Sequence, residues 1–298
     1  MDRDGIGRYG RWLVIGSFLA IFAAVQFALS MRDAEAPAHG PSKIPTFTIP
    51  VLMYHHVREP GPGLADAASL RFAVSPVEFE KQLDYLQQNG YTTIDTKRLE
   101  VSMRTGLALP PRAVMLTFDD GWETQFSTVY PLLRERGMVG VFFVHTGVIG
   151  EQPGAAMSWD DVCQMEDDGM DIECHTVSHP SLPQLDAPAL ERELTDSRAI
   201  LEAKLGRPVT ALAYPYGDFT EREIEAAERA GYRLAFSTEV GLVQRLDEPF
   251  EIHRTIVTFG DSTDDFAIKL TELDGSRALL DYRPSITPVP AARTAHVQ

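Results

Sequence analysis

Only two cysteines, Cys163 and Cys174, occur in 298 residues, and they form no CxxC pair. That excludes a disulfide scaffold, a zinc ribbon and a CxxC redox centre, so any metal must be sought among His, Asp and Glu. Basic residues are also scarce: 27 Lys and Arg stand against 43 Asp and Glu, a formal charge of −16. Such a surface does not neutralise phosphates, which argues against nucleic acid as a partner. Nor is the composition collagenous, low-complexity or disordered, because 44% of the residues are apolar, beside 22 Gly and 20 Pro, enough for a sizeable core.

One long uncharged run is present, WLVIGSFLAIFAAVQFALSM at residues 12–31. At about 1.5 Å per residue, a helix of roughly 20 residues crosses the hydrocarbon of a bilayer, so a transmembrane helix is expected here. Arg3, Arg8 and Arg11 precede it and bias residues 1–11 to the cytoplasm, with the bulk of the chain outside. Only Ser17, Gln26 and Ser30 interrupt the run, too few for the polar face of a core helix. A cleaved signal peptide is the rival, with Ala28-Leu29-Ser30 as cleavage site, but the apolar stretch is long for one and an uncleaved anchor is preferred. Either way the working part lies outside the cytoplasm, in the periplasm or at the cell surface. Residues 32–46, with Pro37, Gly40, Pro41 and Pro45, read as a linker, and 283–298, with Pro284, Pro288 and Pro290, as a loose tail. Residues 47–282 remain as one folded domain, with no second domain.

Within that domain, short β-branched runs alternate with longer amphipathic ones. IPVLMYHHV, YTTIDT, AVMLTFDD, VGVFFVHTG, MDIECHT, VTALAYPYG, YRLAFST and EIHRTIVT read as strands; 76–89, 124–136, 187–205 and 221–230 read as helices. Gly90, Gly137, Gly169, Gly206 and Gly231 sit where left-handed helix stops fall. Ser75 before Pro76, and Asp186 before Pro188, resemble helix starts. The βαβα rhythm predicts a parallel sheet, and seven or eight strands favour an α/β fold closed into a (β/α) barrel with chemistry at the carboxyl ends of its strands. Tyr54-His55-His56, Asp119-Asp120, His175, Tyr214-Pro215-Tyr216 and His253-Arg254 all lie at such ends. Singly each has a bland structural reading; their co-location is harder to dismiss.

Asp119 and Asp120 follow the strand AVML and place two carboxylates side by side. They repel unless an opposite charge relieves them, as a divalent cation would. His175 and His179, at i and i+4, can aim two imidazoles at one ion from a helix or a compact loop. With Asp120 they would complete a two-His, one-carboxylate set with open positions.

TFDDG, HTVSHP and AYPYG, in this order on these strands, resemble the polysaccharide deacetylase family, carbohydrate esterase family four, over roughly residues 48–270. The resemblance implies a distorted barrel and metal-dependent removal of N-acetyl, or sometimes O-acetyl, groups from glycans. By motif, Asp119 maps to the general base, and Asp120, His175 and His179 to the ligands of a divalent metal, zinc by default with nickel, cobalt or iron admissible. LMYHHV is similar to the first strand of the branch that includes biofilm poly-N-acetylglucosamine deacetylases, which maps the general acid to His55. The family's usual arginine before the third motif is missing from AYPYG, so Arg254 is the candidate to orient the base. His253 is the rival acid, but neighbouring strand residues face opposite ways, so it points out of the mouth if Arg254 points in. His56 and His145 are expected to be structural or surface residues, and Cys174 to face away from the metal.

The expected chemistry is amide hydrolysis of an N-acetylglucosamine-type exopolysaccharide outside the cytoplasm, with the Tyr216 N–H as an oxyanion donor. Peptidoglycan, chitin oligomers and O-acetyl glycans are alternative substrates. Trp122, Trp159, Tyr214 and Phe219 could stack on sugars or equally pack in the core. A non-haem iron oxygenase shares the ligand set, and a membrane-anchored glycan-binding protein without turnover shares the anchor. Retention of Asp119 counts against the binder, because a binding groove needs no base.

Overall fold

Residues Ala113–Asp120 are buried at every position but the last, so the strand they form must be covered on both faces, as the central strands of parallel sheets are. The computed structural model describes residues 46–59 and 72–271. Its strands are β1 (Thr46–Thr48), β2 (Val51–Tyr54), β3 (His56–Val57), β4 (Ala73–Val74), β5 (Thr92–Thr93), β6 (Ala113–Asp120), β7 (Val141–Val144), β8 (Asp171–Cys174), β9 (Ala211–Ala213), β10 (Leu234–Phe236), β11 (Val243–Arg245) and β12 (Thr255–Ile256). Its α-helices are α1 (Pro76–Gln88), α2 (Thr96–Thr105), α3 (Tyr130–Glu135), α4 (Trp159–Asp167), α5 (Ala187–Leu205), α6 (Glu221–Ala230) and α7 (Thr263–Thr271). The predicted anchor at 12–31 and tail at 283–298 lie outside the described residues. Among the described residues no helix is long and apolar enough to cross a membrane.

Eight strands form one parallel sheet in the order β10-β9-β8-β7-β6-β2-β12, with β5 alongside the start of β6. The segment carrying β12 curls this sheet back on itself. Ile252 bridges Phe236 of β10, and three residues on, Thr255 pairs with Leu52 of β2. The result is a parallel-strand (β/α) barrel with a thin seam, within the expected seven or eight strands. Alternation sorts the side chains into two layers. Val51, Met115, Val141, Phe143, Ala211, Ala213 and Phe236 pack together inside the sheet. Leu52, Tyr54, Leu116, Phe118, Phe142, Ile172 and Leu212 pack outward beneath the helices.

The predicted helix boundaries hold where capping chemistry sets them. Ser75 accepts the Glu78 N–H and Asp186 the Ala189 N–H, and Pro follows each cap in the first turn. All five predicted stop glycines have positive φ. The predicted helix at 124–136 departs from expectation, because its first part, Gln125–Val129, is a π-helical turn before α3 begins. Helices α2, α4 and α7 escaped the sequence reading; they are short and carry many polar residues.

Phe118 is the centre of the outer layer. Its ring stacks on Phe142 at 4.8 Å and on Tyr54 at 5.2 Å, and meets Phe79 edge-on at 5.9 Å. Replacing a fully buried aromatic of this kind leaves a cavity its neighbours cannot close. Phe118→Ala is expected to lower the unfolding free energy by about 3–5 kcal/mol, measured by denaturant unfolding; a loss well under 1 kcal/mol would contradict the packing described.

Candidate active site

The strand that supplies Asp119 should send Asp120 to the opposite face. It does not, because Asp120 has φ 81° and Gly121 φ 80°, so the chain turns back and both carboxylates reach the barrel mouth. His175 follows β8 directly. Its Nδ1 lies 2.8 Å from the Ala213 carbonyl, which can only accept, so that nitrogen carries the proton. Burial lowers the His175 pKa to about 4, against the pull of Asp119 and Asp120. The ring is therefore neutral, and its bare Nε2 faces Asp120 Oδ1 at 3.6 Å, while His179 Nε2 faces the same oxygen at 3.5 Å. A lone pair turned on a carboxylate oxygen is repulsive unless a cation stands between them. The three ligand atoms of Asp120, His175 and His179 lie within 4.8 Å of one another, and the set fits a divalent metal.

The HxxxH segment is a compact loop, not a helix. Thr176 and His179 have φ of 69° and 58°, and the Thr176 hydroxyl accepts the His179 N–H at 3.1 Å. Glu193 of α5 clasps the same loop, accepting the N–H groups of Val177 and Ser178 at 2.8 and 2.9 Å and the Ser178 hydroxyl at 2.6 Å. Cys174 does face away, its thiol buried beside Ser197 and Tyr232.

Asp119 sits beside this cluster in contact with Arg254, whose Nη1 donates to Asp119 Oδ1 at 2.8 Å and to the Thr117 hydroxyl at 3.3 Å. The Arg254 Nε donates to the Ser237 carbonyl, so the guanidinium is held from two strands. Burial alone would raise the Asp119 pKa; the Arg254 charge, with His175 and His55 behind it, carries it down to about 2. His253, by contrast, turns outward toward Glu239 at 3.6 Å with its side chain 32% exposed, as strand alternation requires.

His55 follows β2. One Gln125 amide donates to both the His55 and Asp119 carbonyls, at 3.2 and 2.5 Å, tying the two strand ends together. His55 Nδ1 and Arg254 Nη2 are buried with no hydrogen-bond partner among the described residues. Across the mouth, Tyr216 has φ 62° in a tight turn in which Gly217 and Asp218 donate to Tyr214 and Pro215. Tyr216 is 63% exposed and its ring meets His179 edge-on at 4.6 Å.

The polysaccharide deacetylase family model matches residues 107–235. The chain is 29% identical over 214 residues to YxkH of Bacillus subtilis, whose name places it among the polysaccharide deacetylases; the match covers 72% of this chain and 73% of that one. It is 24% identical over 199 residues to the poly-beta-1,6-N-acetyl-D-glucosamine N-deacetylase of Staphylococcus aureus, covering 63% and 68% of the two chains. Among solved structures, the Streptococcus pyogenes deacetylase PplD in complex with acetate superposes with a TM-score of 0.71 at 25% identity, over 76% of this chain and 99% of that one. IcaB from Ammonifex degensii superposes with a TM-score of 0.62 at 26% identity, over 75% and 95%. Residues 107–235 thus carry a polysaccharide deacetylase match, and the chain is similar to deacetylases over most of its described residues.

The family match spans Asp119, Asp120, His175, His179 and Tyr216 but leaves out His55 and Arg254, whose placement comes from the fold. Sequence reasoning missed Gln125 and Glu193, since a lone amide and a helix-face carboxylate carry no motif. It also set aside His56 and His145. His56 packs on Trp122 at 4.3 Å, His145 lies 5.8 Å from the His179 ring, and burial lowers the pKa of both, that of His56 to about 4. Of the four candidate sugar-stacking aromatics, Tyr214 and Phe219 stack on each other in the outer layer and Trp159 lies under Lys204, while Trp122 reaches the mouth. Asp120→Ala and His179→Ala are each expected to reduce bound divalent metal to background by elemental analysis, with His253→Ala unaffected; full metal content in either ligand variant would contradict the grouping.

Proposed function

We propose that this deacetylase removes N-acetyl groups from an N-acetylglucosamine-type exopolysaccharide outside the cytoplasm, using a divalent cation, zinc by default, held by Asp120, His175 and His179. The observation that carries the reading is an ionised carboxylate, Asp119, locked by Arg254 beside the two-His, one-carboxylate set of Asp120, His175 and His179. A bound cation supplies Lewis acidity, lowering the pKa of a coordinated water from about 15.7 toward 7 and polarising the acetyl carbonyl.

The chain's own residues supply the rest. Arg254 occupies Asp119 Oδ1, which leaves Oδ2 to take the proton of the attacking water. Held near pKa 2, Asp119 stays ionised throughout the working range but is a weak base, so it acts only on water already made acidic. The Tyr216 N–H, presented by its left-handed backbone, is the donor for the developing oxyanion, an interaction worth about 3–4 kcal/mol of barrier. His55 gives its proton to the departing amine, a step worth about 10² to 10⁴ in rate. Its unpartnered ring nitrogen and its place beside Asp119 support that role over His253. The likeness to the Staphylococcus aureus poly-beta-1,6-N-acetyl-D-glucosamine N-deacetylase and to IcaB supports the substrate class. The uncharged run at 12–31 supports a membrane anchor with the catalytic domain in the periplasm or at the cell surface.

Acetate release is expected from poly-β-1,6-N-acetylglucosamine oligomers, lost on chelation and restored by zinc, cobalt or nickel. Release only from chitin oligomers, peptidoglycan or O-acetyl esters would redirect the substrate assignment. His55→Ala is expected to keep its metal and lose about 10²-fold or more in kcat; the same behaviour in His253→Ala instead would move the acid there. In Arg254→Met, burial acts on Asp119 without its counter-charge, so the pKa of the base rises and the acid limb of kcat/KM moves to higher pH. An unmoved limb would show that Arg254 does not hold the base ionised.

A further inference from the structure

The two oxygens of Asp120 have different partners. Oδ1 faces the Nε2 atoms of His175 and His179, at 3.6 and 3.5 Å, while Oδ2 accepts the indole N–H of Trp122 at 3.0 Å. We propose that Trp122 is a positioning residue that holds Asp120 as a one-oxygen ligand to the cation; this deepens the metal reading given above and rests on it. An unrestrained carboxylate can rotate about its Cβ–Cγ bond and chelate an ion through both oxygens. Turning Oδ2 toward the ion here breaks a hydrogen bond in a half-buried site, which costs free energy. Keeping that oxygen back preserves open coordination positions for a water and for the acetyl carbonyl, which hydrolysis requires.

The indole is placed by its backbone and a packed ring. Trp122 forms an antiparallel bridge with Ala156; Glu123 donates to the Ala155 carbonyl at 2.9 Å and Met157 to the Gly121 carbonyl at 3.0 Å. Gly121 has φ 80°, where an L side chain is strained, and a Cβ there would press on Ile149, so glycine suits the turn that delivers the indole back onto Asp120. The His56 ring packs on the indole at 4.3 Å and 40°, limiting its rotation. These two backbone bonds hold position 122 without the indole N–H, so a ring lacking that donor can occupy the same place.

The test compares wild type, Trp122→Phe and Asp120→Ala by chelator competition for Zn²⁺ and by the visible spectrum of the Co²⁺-loaded protein. Trp122→Phe is expected to bind Zn²⁺ about 10–100-fold more weakly. Its Co²⁺ absorption should weaken as the freed carboxylate adds a second oxygen, while thermal unfolding of the metal-free protein stays the same. Wild-type affinity and an unaltered spectrum in Trp122→Phe would overturn the proposal and leave the metal site standing. Metal retention by Asp120→Ala would overturn the site itself. Should the Phe variant fail to fold, benzothienylalanine at position 122, of the same shape but with no N–H, is judged by the same two readouts.

Discussion

The contact between Arg254 and Asp119 is the constraint around which the barrel mouth is arranged. Two neighbouring carboxylates at the end of one buried strand are unstable as a bare pair. Arg254, fully buried, settles the first of them, and the second faces His175 and His179 in a set that fits a cation. A buried guanidinium is costly unless it is paired; Arg254 places Nη1 on Asp119 and Thr117 and Nε on the Ser237 carbonyl, while Nη2 has no partner among the described residues. The pair therefore divides two like carboxylates into two roles. Asp119 is kept ionised by a fixed positive charge, and Asp120 is turned by its backbone toward the imidazoles.

Backbone strain gathers in the same place. Among the described residues five non-glycines have positive φ, and four of them, Asp120, Thr176, His179 and Tyr216, belong to the mouth. Such conformations cost about 1–3 kcal/mol each and persist only where the surroundings over-determine them. Here the restraints are visible: the Glu193 carboxylate gathers three donors from the HxxxH loop, Thr176 holds the His179 amide, and the Tyr-Pro-Tyr-Gly turn is closed by two backbone bonds. The left-handed turn at Asp120 also lets two sequence neighbours serve one site, which regular strand alternation forbids.

Much of this was legible in the sequence, for identifiable reasons. The strand AVMLTFDD and the helices at 187–205 and 221–230 were found at their observed limits, because apolar runs, capping side chains and stop glycines agree there. Arg254 was a candidate because AYPYG lacks the arginine that the family resemblance implies, and alternation then turned His253 away from the mouth. What escaped depends on non-local geometry. The π-helical turn that carries Gln125 into position leaves the amphipathic pattern of a helix intact, so periodicity cannot reveal it. His56 and His145, expected to be structural or surface residues, pack against Trp122 and near the His179 ring. The HxxxH spacing suited helix and loop equally, and the choice was made by Glu193, far along another helix.

Arg254 rides on the segment that joins the last strand to the first, so its arrival has a timing. Its partner Asp119 lies 135 residues earlier in the chain. A ribosome therefore releases the aspartates and both histidines well before the positive charge that tames them. Until β12 docks against β2, the half-made mouth holds an unbalanced pair of acids and a sheet with a raw edge. Closure of the sheet and neutralisation of Asp119 thus become a single event, and a chain cut short before residue 254 would leave that acid without its counter-charge.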